Sequence, residues 1–154
     1  MINQIEGILN SRPLSPLSSD PEDLDVLTPA HFLIGRPINA IPELDLTLLP
    51  ETKLSHWQRV IKLTQNIWKR WNNSFLSNLQ QRTKWMFKKD NLSLGSLVLL
   101  KEDDMPICKW LIGRIIEIFP GKDGNIRVAK IKTKKGIFKR SIGKICVLPL
   151  EKAN

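Results

Sequence analysis

Acidic side chains are the first place to look for chemistry in this sequence. They occur in two runs: Asp20, Glu22, Asp23 and Asp25, then Glu102, Asp103 and Asp104. Metal-assisted phosphoryl transfer needs several carboxylates converging on one rigid site. The first run lies in a Pro- and Ser-rich stretch with no strand to hold it, and the second falls between strand-like runs. Both are expected to be solvated surface turns. Nucleophilic chemistry would fall to Cys108, whose neighbour Lys109 can in principle lower a thiol pKa. No histidine is close to it in sequence, so an incidental or structural thiol is expected. Cys108, Cys146, His31 and His56 form no C-x-x-C or H-x-x-x-H spacing, which excludes a zinc template and points to two reduced thiols. Gly121-Lys122-Asp123-Gly124 lacks the P-loop spacing and reads as a hairpin turn. Neither a catalytic residue, a metal, a cofactor nor a small-molecule substrate is expected.

The basic residues carry more information. The net charge is +9, and it is unevenly spread. Residues 1–52 hold two basic and eight acidic side chains, a net of −6, whereas residues 53–154 hold 22 basic and seven acidic, a net of +15. Such asymmetry points to a polyanionic partner after residue 52, with nucleic acid the natural class. Within Ile126–Thr133, strict alternation puts Lys130 and Lys132 on one face and Ile131 and Thr133 on the other. Ile126 and Val128 would share the face of Lys130, so a bulge is expected near Ala129. The candidate contacts are Lys69, Arg70, Arg114, Arg127, Lys130, Lys132, Lys134, Lys135, Lys139 and Arg140. The competing reading of the strand residues is an ordinary solvated sheet face.

Three elements must position these side chains. In residues 1–52, Ile2, Ile5, Ile8 and Leu9 lie at helical spacing, and Arg12-Pro13 ends the pattern. Seven of the ten prolines fall between 13 and 50, which predicts a connector packed on something else, interrupted by a brief helix from Thr28-Pro29 to Gly35. Residues 53–91 predict one helix of about 30 residues, or two with a break near Asn72-Asn73-Ser74. Ser55 and Gln58 would cap it, and its stripe is Trp57, Val60, Ile61, Ile67, Trp68, Trp71, Phe75, Leu79 and Met86. Residues 92–154 switch to strands at Leu97–Leu100, Leu111–Phe119, Ile126–Thr133, Ile137–Arg140 and Ile145–Leu148, a pattern that predicts a small antiparallel barrel. The fold class is therefore α+β. The helical tryptophans read as packing residues. Trp110 could plug the barrel or stack on a base, and with Phe119 and Phe138 it could form an aromatic cage for a methylated lysine. A basic leader and an apolar run of about 18 residues are both missing from the sequence, so an intracellular chain without a membrane span is expected.

Taken together, Leu9–Pro37, Trp57–Trp85 and Gly95–Pro149 resemble, in order, three parts of BEL/Pao-type retrotransposon integrases. These are the stretch after the catalytic core, the helical linker behind it and the C-terminal domain. The resemblance implies an SH3-like five-stranded barrel that binds nucleic acid, DNA above RNA. It also implies nuclear work and assembly with itself or with other integrase domains. It implies that the family's catalytic acids lie upstream of Met1, since Glu6 falls after their expected position, so this chain is expected to be non-catalytic. A protein-interaction module built on the Trp-rich helix and the barrel is the other class to weigh.

Overall fold

A computed structural model describes residues 2–40, 43–86, 92–102, 105–121 and 126–148. Helix α1 (Ile2–Asn10) buries Ile8 and ends where the Ser11 hydroxyl donates to the Ile8 carbonyl at 2.8 Å. Two residue pairs follow as a minimal ladder, β1 (Ser15–Pro16) against β2 (Val26–Leu27). The acidic run forms the loop between them. Its turns are local: Glu22 N–H donates to Asp20 Oδ1 at 2.9 Å, and Asp25 N–H to Asp23 Oδ1 at 2.8 Å. Helix α2 (Pro29–Ile34) begins with proline in its first turn, and Thr28 N–H donates to His31 Nδ1. It stops at Gly35, whose φ of 71° is a left-handed C-cap.

Helix α3 (His56–Met86) is a single helix of 31 residues, without a break at Asn72-Asn73-Ser74. Ser55 N–H donates to Gln58 Oε1, and Gln58 N–H returns to Ser55 Oγ, as the capping pattern predicted. No helix among the described residues is long and apolar enough to cross a membrane.

The C-terminal strands are β3 (Leu97–Leu100), β4 (Ile112–Pro120), β5 (Ile126–Thr133), β6 (Gly136–Ser141) and β7 (Ile145–Val147). They pair antiparallel in the order β6-β5-β4-β3-β7. The sheet is open rather than a closed barrel, because β6 and β7 are its two edges. Closure needs strands long enough to carry a staggered ladder round to the far edge, and β3 and β7 have only four and three residues.

Alternation explains the packing. On one face, Leu97, Leu99, Cys146 and Leu148 meet Leu76 and Leu79 of α3 and Leu24 of the acidic loop. On the other, Val98, Leu100 and Ile145 meet Ile115, Ala129 and Ile131 where the sheet curls over itself. All four residues of β3 are buried because it lies between these two cores. Gly113 is needed at the crossing of β4 and β5: a Cβ there would lie 2.8 Å from the Lys132 carbonyl oxygen and 2.5 Å from Ile131 Cγ2. A backbone oxygen cannot rotate away. Gly113→Ala is therefore expected to lower stability by about 1–3 kcal/mol, read as an earlier midpoint in urea.

A third cluster joins α1, α3 and the segment before β4. Trp68 packs edge-on against Trp110 with centroids 5.1 Å apart, and Trp71 stacks on Phe75 at 5.4 Å. Trp110 also lies within 5.8 Å of Trp71 and 5.5 Å of Phe75. Its role is thus to clamp the helix to the sheet.

Candidate nucleic-acid interface

The ladder register decides which cations share a face. Leu97 of β3, Arg114 of β4, Lys132 of β5 and Ile137 of β6 form one cross-strand row. Glu117, Lys130 and Lys139 form the next, and Phe119, Val128 and Ser141 the third. Arg114, Lys130, Lys132 and Lys139 therefore lie on the same face of three adjacent strands. Lys134 and Lys135 extend it at the turn into Gly136, whose φ of 125° suits glycine.

The irregularities that set this register are not where the alternation suggested. Ala129 is fully buried and in phase with Ile131. One shift falls in β4, where Ile116 is the extra residue between Ile115 and Glu117. The other falls in β5, where Arg127 is extra opposite the Phe119–Pro120 step. Val128 therefore belongs to the outer row with Phe119, and the slip lies before it rather than at Ala129.

Two candidates part from the others. Arg140 pairs with Ala129, so it lies on the inner face, where its Nε donates to Glu102 at 2.7 Å and its guanidinium covers the Phe138 ring. Lys69 lines a cavity of about 180 Å³ between α3 and the segments around Asp45 and Glu102. Asn72 lines the same cavity, and its Oδ1 is buried without a hydrogen-bond partner among the described residues. Arg70 is exposed on α3, and Arg127 is exposed at its bulge.

The acidic loop was expected to be solvated, yet it docks on the cation face. Leu24 anchors it in the helix-side core. Arg114 then holds its backbone: Nη2 donates to the Asp20 and Asp23 carbonyls at 3.1 and 2.8 Å, and Nη1 to the Gly95 carbonyl at 2.7 Å. Arg114 Nε is buried without a partner, so this guanidinium meets carbonyl oxygens and no carboxylate in the described contacts. Further along, Lys132 pairs with Glu22, and Lys134 with Asp25 at 2.8 Å. The Asp25 N–H and the Ser18 hydroxyl, helped by Lys134 and Arg114, hold the Asp23 carboxyl below its ordinary range. Within the sheet, Lys130 pairs with Glu117 at 3.1 Å, and Lys139 Nζ sits 4.2 Å over the Phe119 ring. Lys135 and Lys144 are exposed.

The remaining candidates for chemistry are dispersed. Cys108 is buried in the Trp68 cluster with a left-handed φ of 57°. Burial pushes its thiol pKa up despite the hydrogen bond with Ser11 and the nearby Lys109. Cys146, buried against α3, is pushed up to about 12 by burial, and its Sγ–H donates to the Leu76 carbonyl at 3.5 Å. Since the thiolate is the reactive form, Cys146 is expected to resist an aromatic disulfide reagent at pH 8 until denaturant is added. His31 caps α2, and His56 opens α3. No group of three or more His, Cys, Asp or Glu among the described residues is arranged to hold a metal. Trp110, Phe119 and Phe138 do not assemble a cage: Trp110 faces α3, Phe119 the outer row and Phe138 the inner side.

One family model matches residues 55–148, which span α3 and the whole sheet; it is described as a Family of unknown function (DUF5641). No curated protein and no solved structure matches the chain.

Proposed function

The chain belongs to this DUF5641 family of unknown function, and on its own residues we propose that it is a non-catalytic nucleic-acid-binding piece of a BEL/Pao-type retrotransposon integrase. It holds backbone phosphates, DNA in preference to RNA, with little base specificity and, in a cell, in the nucleus. The observation that carries the reading is the gathering of Arg114, Lys130, Lys132 and Lys139 onto one sheet face with Lys134 and Lys135 beside them. Lysine ammoniums on a sheet neutralise phosphates without reading base edges. The strongly bulged five-stranded sheet supports an SH3-like reading of the domain. The ordered resemblance of Leu9–Pro37, Trp57–Trp85 and Gly95–Pro149 supports the integrase assignment. The alternative, an interaction module on the Trp-rich helix, would have to use Trp57, which is exposed, since Trp68 and Trp71 pack internally.

Fluorescence anisotropy with a labelled DNA duplex over a salt series tests this. About four neutralised phosphates give a slope of log affinity against log salt near −4. Affinity indifferent to salt, or no binding at low salt, would overturn the reading.

A further inference from the structure

The function proposed above leaves the acidic loop unexplained, and the loop occupies the same face. Asp20, Glu22, Asp23 and Asp25 place four carboxylates within six residues, a density of negative charge comparable with a nucleic-acid backbone. Two of them engage Lys132 and Lys134, the cations at the corner of the face.

We propose that this loop is an intramolecular stand-in for the polyanion: in the free chain it covers the Lys132–Lys134 corner of the nucleic-acid face, and a bound backbone displaces it. The proposal rests on the nucleic-acid reading of that face and adds its regulation.

Two strengths of attachment make displacement feasible. The base of the loop is firm, through buried Leu24 and the two bonds from Arg114 to the Asp20 and Asp23 carbonyls. The acidic tip is held by pairs open to water: Glu22 and Asp25 side chains are 76% and 60% exposed, against 48% and 73% for their lysines. Exposed pairs of this kind are weak and screened by salt. A duplex offers several phosphates at once, so it gains contacts on Lys130, Lys135 and Lys139 that the tip does not make. Tethering raises the tip's local concentration and thereby sets a threshold that only a multivalent anion passes. The loop therefore suppresses binding of short or isolated anions more than binding of long backbones.

The test compares the full chain with Glu22→Gln/Asp25→Asn by duplex anisotropy at low and high salt. A second variant, Glu6→Gln/Glu51→Gln, changes net charge equally through exposed acids away from the loop tip. The loop variant is expected to bind about tenfold more tightly at low salt, with the gap closing at high salt. The control should stay within about twofold of the parent. Inorganic tripolyphosphate, a short anion, should compete better for duplex on the loop variant than on the parent. Binding by the loop variant alone also supports the proposal. If parent and loop variant bind with the same salt-dependent affinity, the competition is overturned while the nucleic-acid reading stands. Equal tightening by the control overturns it too, by reducing the effect to net charge. If none of the three binds duplex, the nucleic-acid reading itself fails and takes the proposal with it.

Discussion

Replacing Trp68 with alanine is expected to lower the unfolding free energy by about 3–5 kcal/mol. Trp68 is 3% exposed, contacts Trp71 and Trp110 ring to ring, and donates its indole N–H to the Met105 carbonyl at 2.8 Å. The substitution opens a cavity and leaves that carbonyl without its donor, so two costs add. Trp57, at the start of the same helix and 63% exposed, is the internal comparison. Trp57→Ala should stay within about 0.5 kcal/mol of the parent. Urea denaturation followed by circular dichroism reads both. Equal losses at the two positions would show that the helix is not held to the sheet through the Trp68 cluster.

The second large effect concerns binding. Changing Lys130, Lys135 and Lys139 together to Gln removes three cations from the outer face and its turn while leaving Arg114, Lys132 and Lys134 on the acidic loop. Each contact with a phosphate at the surface is worth about 1 kcal/mol, so duplex affinity should fall about 100-fold at low salt. The salt slope should flatten by about three, one for each lost phosphate contact. An Arg140→Gln change should do neither, because Arg140 faces Glu102 on the inner side. Its effect belongs to stability. If Arg140→Gln weakened binding as strongly as the triple change, the outer face would not be the binding surface.

Much of the fold could be read from residue types because the signals were local. Ser55 with Gln58 and Thr28-Pro29 with Gly35 act within a few residues, and the structure places each as spacing predicts. Strand boundaries followed for the same reason. The helix stripe was less faithful at Trp57 and Leu76, and Met86 lies among side chains outside the described residues. Trp57 points to solvent because α3 outruns the surface it packs on, and Leu76, absent from the stripe, is 2% exposed because Leu97 and Cys146 reach it from the sheet.

The candidate site was legible as a list of cations but not as a surface. Which side Arg140 takes depends on the β5–β6 register, which pairs it with Ala129, and which β4 residues join that of Lys130 depends on the bulge at Ile116. Ile116 follows Ile115 between Arg114 and Glu117, so the bulge shows in the sequence only as a spacing of three between two charged residues that share a face. The docking of the acidic loop had no local signal either. Its acids looked solvated because their partners lie on strands that only the finished sheet brings alongside.

Those partners are far away along the chain. Glu22 and Lys132 are separated by 110 residues, and Asp25 and Lys134 by 109. The β4–β5 and β5–β6 ladders join strands close together in sequence, so they form with little loss of chain freedom, whereas docking the first hairpin closes a loop of about 110 residues. The exposed pairs of the tip are therefore expected to form late and open early. Below global unfolding, a partly open form is expected in which the sheet, α3 and the Leu24 anchor are intact and only the acidic tip has left Lys132 and Lys134. Substitutions at Glu22 or Asp25 then alter how fast that form appears, and leave the rate at which the sheet folds unchanged.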